Sequence, residues 1–278
     1  MATKKTASTA KKKSTTTKKS APVAKKTTTT VKTVSASSRL NGVSHKFTFS
    51  KSPLLAASVA EFIGTFLLAA IVMTVSGQPL FILFGLMAVV LMVGAVSGAH
   101  VNPLLTVGAW ATKRVTGTRA VSYLVAQVLG ALMALVVMNA FIGAAPEVSS
   151  QAAAMGQSAP TLFKAAAIAD GKQWTVLTTE LLGSTIFAFA VASAMRAGRD
   201  RVAAALTVGG SLYVALLIAG TAASYVGANA ILNPAVAGAL QAVKWELWPI
   251  MVYVLAPLVG GVLGFALNDL LTKESEVK

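Results

Sequence analysis

The sequence predicts an all-α membrane protein: six transmembrane helices plus two re-entrant half-helices, arranged as an inverted 3+3 repeat. Three observations predict it. Of 278 residues, 55% are hydrophobic and only 12% charged, where an average soluble domain carries about 25% charged residues. Six apolar stretches approach the ~20 residues that cross a bilayer. Two shorter apolar stretches each open on Asn-Pro, and their Asn residues lie 131 positions apart.

The N-terminal tail comes first. Residues 1–50 hold 11 Lys and one Arg with no acidic residue, which is +12 of the chain's +15. The high pI therefore describes the tail and not the body. This Lys/Thr/Ser-rich segment has too little apolar surface to offset its ordering entropy, so it is expected to be disordered and cytoplasmic. Either it is a polybasic arm for anionic lipid or nucleic acid, or it is a solvated arm that only enforces topology. With no Cys and only His45 and His100, disulfides, Cys-ligated zinc, iron–sulfur clusters and His-rich metal sites are excluded. No cofactor or metal is implied.

The expected spans are Leu54–Ser76, Leu80–Val96, Ala120–Ile142, Thr175–Met195, Val202–Ala223 and Trp248–Leu267. The stretches Val101–Ala111 and Leu232–Val243 are too short to cross. Asn is a strong N-cap and Pro is favoured at the first helical position. Each short stretch is therefore a half-helix starting at Asn102-Pro103 or Asn233-Pro234. Basic residues favour cytoplasmic loops. Lys113, Arg114 and Arg119, and also Arg196, Arg199 and Arg201, then fall on the side of the tail. The result is a multi-pass protein of the cell membrane with both termini cytoplasmic. The membrane domain covers residues 51–270, with repeat one at about 53–142 and repeat two at about 173–268; residues 271–278 form a short cytoplasmic C-terminus.

The repeat is legible residue by residue. Glu61 and Gly64 match Glu180 and Gly183, while Tyr123, Ala126 and Gly130 match Tyr253, Ala256 and Gly260. Three spans per copy is an odd number, so the second copy enters the membrane from the opposite face. The two half-helices then dip in from opposite sides, and their N-termini meet near the midplane. Each N-terminus carries about half a positive charge, which repels cations. Each Asn caps its own helix through oxygen and turns its amide N–H donors toward a passing neutral molecule.

These residues resemble the aquaporin and glycerol-facilitator (major intrinsic protein) family over about residues 53–270. The resemblance rests on Ser97-Gly98-Ala99-His100-Val101-Asn102-Pro103, on Ala60 through Phe66, on Tyr123 through Gly130 with Gln127, and on Asn233-Pro234-Ala235. It implies an aquaporin-like channel, a homotetramer with one pore per subunit, and a pore centre of Asn102, Pro103, Leu104, Asn233, Pro234 and Ala235. The chain also departs from the family pattern. Leu104 stands where the family has Ala, and Val236 stands where it has an Arg that lines the outer constriction. The second loop, between Gly227 and Asn233, is about two residues longer than the family pattern. Ile82 or Phe84 is expected to fill the second-span position of the constriction, Ala219 or Thr221 the fifth-span position, with Ala230 and Val236 from the loop. That ring is expected to be more apolar than a water-only filter, and either wider or gated by dewetting.

Glu61 and Glu180 lie within spans, where ionisable groups signal function. They either relay protons or accept hydrogen bonds from the irregular loop before each half-helix. Their matched positions favour support of the loop, and His100 and Gln127 are expected to share it. The leading function is a passive channel for water or small uncharged solutes, glycerol- or urea-like. The alternatives are a proton-coupled secondary transporter and a membrane anchor for the basic tail. No nucleophile elbow or metal-ligand spacing supports an enzyme.

Overall fold

The computed structural model describes residues 53–197 and 200–276. The expected tail (residues 1–50), Arg199 and the last two residues of the C-terminus lie outside them. All the regular elements among the described residues are helices. Its elements are α1 (Pro53–Thr74), α2 (Pro79–Ser97), α3 (Pro103–Ala111), α4 (Gly117–Gly143), α5 (Ser150–Ala154), α6 (Gln173–Ala197), α7 (Arg201–Ser224), α8 (Pro234–Ala239), α9 (Leu247–Ile250) and α10 (Ala256–Glu276). Six helical stretches are long and apolar enough to cross a membrane, namely α1, α2, α4, α6, α7 and the run Leu247–Lys273.

The helix ends follow from local chemistry. Pro opens α1, α2, α3 and α8, where a missing N–H is no loss. The side chains of Thr116 and Asp200 accept backbone N–H bonds at the starts of α4 and α7. Gly98 ends α2 in the left-handed conformation at φ 88°.

Both half-helices start where expected, with Asn102 and Asn233 as N-caps and Pro at the first position. Val101 and Leu232, just before the caps, adopt left-handed φ values of 41° and 56°. The second half-helix stops earlier than expected, at Ala239. Gln241 turns left-handed at φ 58°, and Ala242 N–H donates back to the Ala237 carbonyl at 2.9 Å. The first half-helix ends the same way, with Lys113 at φ 62° and Arg114 N–H donating to Ala109 at 2.7 Å. The last span is not uniform either: residues Met251–Leu255 form a π-helical turn between α9 and α10. Pro257 lies two residues beyond it and has no N–H to offer the Tyr253 carbonyl, which displaces the regular ladder there.

The two repeats interlock. Within each repeat the first span packs on the third, α1 on α4 and α6 on α10, and α2 packs on α7 between repeats. Each half-helix then lies against the third span of the other repeat, α3 on α10 and α8 on α4. Glycines permit this approach. A Cβ on Gly130 would strike the Phe62 carbonyl, and one on Gly261 would strike the Leu104 carbonyl. Gly260 and Gly264 likewise admit the backbone of α6. Gly64 and Gly183 face the pore-loop residues Val101 and Leu232 as well as a neighbouring span. At one end of the bundle, Asp269 accepts from Arg114 at 2.7 Å and from Arg196 at 2.9 Å, tying the α3–α4 link to α6 and α10.

Replacing Gly261 with Ala should therefore destabilise the fold by ~1–3 kcal/mol through overpacking. Gly210, with nothing within 4 Å of its added Cβ, should tolerate Ala without loss. Thermal unfolding in detergent, followed by circular dichroism, checks the pair. Equal melting of both variants would contradict the α3–α10 approach.

Candidate pore centre and mouth

Glu61 is fully buried in α1, and its carboxylate faces the loop before α3. Oε1 accepts His100 N–H at 2.9 Å and Oε2 accepts Val101 N–H at 2.6 Å. Gln127 of α4 donates to Glu61 Oε2 at 2.7 Å and to Thr106 Oγ1 at 2.9 Å. His100 Nδ1 lies 3.1 Å from the same hydroxyl. The His100 ring stands edge-on to Tyr123, whose phenol donates to the Ser97 carbonyl at 2.7 Å. All four groups expected at loop support except Glu180 thus meet in one network.

Glu180 makes the matching contact alone. Its Oε1 accepts Ile231 N–H at 2.6 Å and its Oε2 accepts Leu232 N–H at 3.0 Å. The repeat offset places Ile231, Ala237 and Pro257 where the first copy has His100, Thr106 and Gln127. None of these side chains can hydrogen-bond. Ser184 Oγ and the Tyr253 phenol oxygen are buried without a hydrogen-bond partner, as is Gln127 Oε1 in the first copy.

The half-helix tips meet through a crossed pair of bonds. Asn102 Oδ1 accepts Leu104 N–H at 3.0 Å, and its amide donates to the Leu232 carbonyl at 2.8 Å. Asn233 Oδ1 accepts Ala235 N–H at 3.1 Å, and its amide donates to the Val101 carbonyl at 3.1 Å. Sequence reasoning expected both amide hydrogens of each Asn to face the lumen. One of each is instead committed across the repeat, and one remains. Pro103, Leu104 and Ala235 are buried and line neither cavity described below. The Leu104 backbone lies against Gly261, and the residue as a whole is fully buried.

Two cavities approach this centre from opposite ends. One, of about 400 Å³, opens at the α1–α2 turn and reaches Asn233. The other, of about 280 Å³, is lined by Val90, Gly94, Ala99, Val191, Met195 and Val208, and also by the charged Asp200 and Arg201. Helical stripes run from one to the other: Ile82 to Val90 on α2, and Leu216 and Leu212 to Val208 on α7. The cavities are one helical turn apart on α7.

The larger cavity contains Ile82, Thr221, Ala230 and Val236 from the expected constriction. The other member of each alternative is elsewhere. Phe84 is 60% exposed on the outside of α2, two residues and therefore about 200° around from Ile82. Ala219 is buried against Gly183, where it packs α7 onto α6. Besides Thr221, α7 lines the cavity with Leu212 and Leu216, which the four-residue spacing from Val208 would have revealed, and with Leu217, Gly220 and Ser224. Phe163 and Asn229 also line it. Phe163 carries no periodic signal, since it comes from the irregular connection before α6. Among the described residues, no charged side chain lines this cavity.

The loop contacts make Glu61 more sensitive than Glu180. Changing either to Gln leaves a buried N–H without an acceptor, a loss of ~1–3 kcal/mol. Glu61 accepts three bonds and Glu180 two, so Glu61→Gln should melt at the lower temperature. The reverse order in thermal unfolding would contradict the network.

Comparison with known proteins places this geometry. The family model for major intrinsic proteins matches residues 48–267. Aquaporin AqpM of Methanothermobacter marburgensis is 30% identical over 249 residues, covering 78% of this chain and 97% of that one. The glycerol uptake facilitator protein-like 6 of Lactiplantibacillus plantarum is 31% identical over 216 residues, covering 74% and 93%. The aquaglyceroporin structure from Plasmodium falciparum superposes with a TM-score of 0.63 at 14% identity, over 81% of this chain and all of that chain. With two Asn-capped half-helices meeting inside six spanning helices, this chain belongs to the major intrinsic protein family and is a multi-pass membrane channel.

Proposed function

We propose that the chain is a passive channel for water and small uncharged solutes, selected by charge at the centre and by size and dehydration at the mouth. The observation that carries this reading is the crossed Asn102–Asn233 pair, with a cavity on either side. In aquaporin-type pores the positive ends of half-helices exclude protons and cations. Here α3 and α8 would each present such an end. The remaining amide hydrogen on each Asn donates to the oxygen of a neutral solute. A water held by two donors turns its own hydrogens away from the centre, and a proton wire is broken there.

Val236 at the mouth supplies neither charge nor donors. The ring of Ile82, Leu212, Leu216 and Val236 is apolar, which favours compact neutral solutes over ions. Proton-coupled transport fits less well, because both oxygens of Glu61 and of Glu180 already hold backbone N–H groups. In this reading the ends with Arg114 and Arg196 face the cytoplasm, and four chains assemble with one pore each.

The test is reconstitution of the full chain into vesicles, with parallel osmotic assays in sucrose, urea and glycerol. Water flux should exceed that of protein-free vesicles, be equal in both directions and ignore uncouplers. Flux that needs a proton gradient would select the transporter instead. Val236→Arg should lower glycerol and urea permeability more than water permeability, by roughly tenfold for one added cation at the constriction. Unchanged glycerol flux in that variant would refute the apolar mouth.

A further inference from the structure

We infer that Phe163, from the connection between α5 and α6, sets the solute cut-off at the mouth, and that Asn229 latches it in place. This rests on the channel reading above. Phe163 is the one aromatic side chain lining the 400 Å³ cavity, which it shares with Ile82, Leu216 and Val236. Since no charged group lines that cavity, passage is decided by width and by the loss of hydration. The bulkiest side chain in the lining then dominates the width.

Its seat is built. Phe163 N–H donates to the Met73 carbonyl at the end of α1, at 3.3 Å. Its ring lies where a Cβ on Gly77 would come within 2.8 Å, and Gly77 is itself left-handed at φ 70°. A side chain at Gly77 would displace the ring. Two residues on, Ala165 N–H donates to the Leu240 carbonyl at 3.1 Å, and Ala166 N–H donates to Asn229 Oδ1 at 2.8 Å. The connection is thus fixed to both repeats within four residues.

Asn229 exists at this place because the two pore loops differ in length. In the first, the left-handed Gly98 precedes the capping Asn102 by four residues; in the second, the left-handed Gly227 precedes Asn233 by six. The longer loop contains Asn229 and Ala230, and both line the cavity. The first loop has no counterpart to this reach. The extra length therefore converts a symmetric pore loop into a clamp on the segment that carries Phe163.

The experiment measures water, urea and glycerol permeability of the full chain in vesicles, expressed as ratios to water. Phe163→Ala should raise the glycerol ratio roughly tenfold by widening the mouth, and Phe163→Trp should lower it. Asn229→Ala should move it in the same direction as Phe163→Ala but less. The double variant should not exceed Phe163→Ala, because the latch acts through the ring. Phe141→Ala, on the exposed outside of α4, should change nothing. Unchanged ratios in both Phe163→Ala and Phe163→Trp overturn the inference. If Phe163→Ala fails to fold, Phe163→Trp and Asn229→Ala decide, and wild-type ratios in those two overturn it. Should the wild-type chain itself conduct no better than protein-free vesicles, the channel reading fails first, and this inference with it.

Discussion

Two amide side chains hold the middle of this protein together, each donating to a carbonyl that belongs to the other repeat. Those carbonyls are presented by Val101 and Leu232, both left-handed. For a β-branched residue such as Val this conformation is strained by an amount of order 1–3 kcal/mol. It persists because a buried carboxylate grips the N–H groups beside it. Glu61 holds His100 and Val101, and Glu180 holds Ile231 and Leu232. In a bilayer no water competes for those N–H groups, so an unheld loop would leave them unsatisfied. Carboxylate, strained loop and capping Asn therefore form one device, used twice.

The two uses are not equal. Around Glu61 the network is dense, with Gln127, Thr106, His100 and Tyr123 all engaged. Around Glu180 it is bare, and two hydroxyls have no hydrogen-bond partner. The second loop gains its anchorage elsewhere. Its longer course lets Asn229 bond the α5–α6 connection, and the Leu240 carbonyl at the end of α8 takes another N–H from the same segment. What the first repeat achieves with side chains below the loop, the second achieves with a strap above it. The π-helical turn before Pro257 belongs to the same exchange, since proline occupies the position at which the first repeat carries Gln127.

Most of the fold was legible because its signals are local. Six apolar runs, two Asn-Pro starts and matched Glu residues specify spans, half-helices and their relation without any tertiary knowledge. The half-helix boundary that moved, the end of α8, did so for a backbone reason: the left-handed Gln241 follows no residue preference visible in the chain. The centre was legible in part. Asn102 and Asn233 were identified, but the crossing that uses one hydrogen of each depends on the distance between loops. At the mouth, Phe84 was misplaced although its angular distance from Ile82 on a helix already separates them. Leu212 and Leu216 were hidden by attention to positions nearer the end of α7. Phe163 was beyond reach, because an irregular connection carries no period that says where a side chain points.

The mouth and the centre divide the work of selection in the channel reading. A cavity with no charged lining offers an ion nothing in return for its hydration shell, and even a partly dehydrated ion then meets two positive helix ends at the midpoint. Charge exclusion therefore does not need a cation at the mouth. That frees the residue at Val236 to be apolar and leaves the mouth to select by size and dehydration. A steric filter must be rigid to discriminate, since a ring that swings aside admits whatever pushes it. The three backbone N–H bonds that fix Phe163, Ala165 and Ala166 supply that rigidity from outside the spanning helices. The long connection between the repeats, which topology requires only as a link, is in this way part of the pore wall.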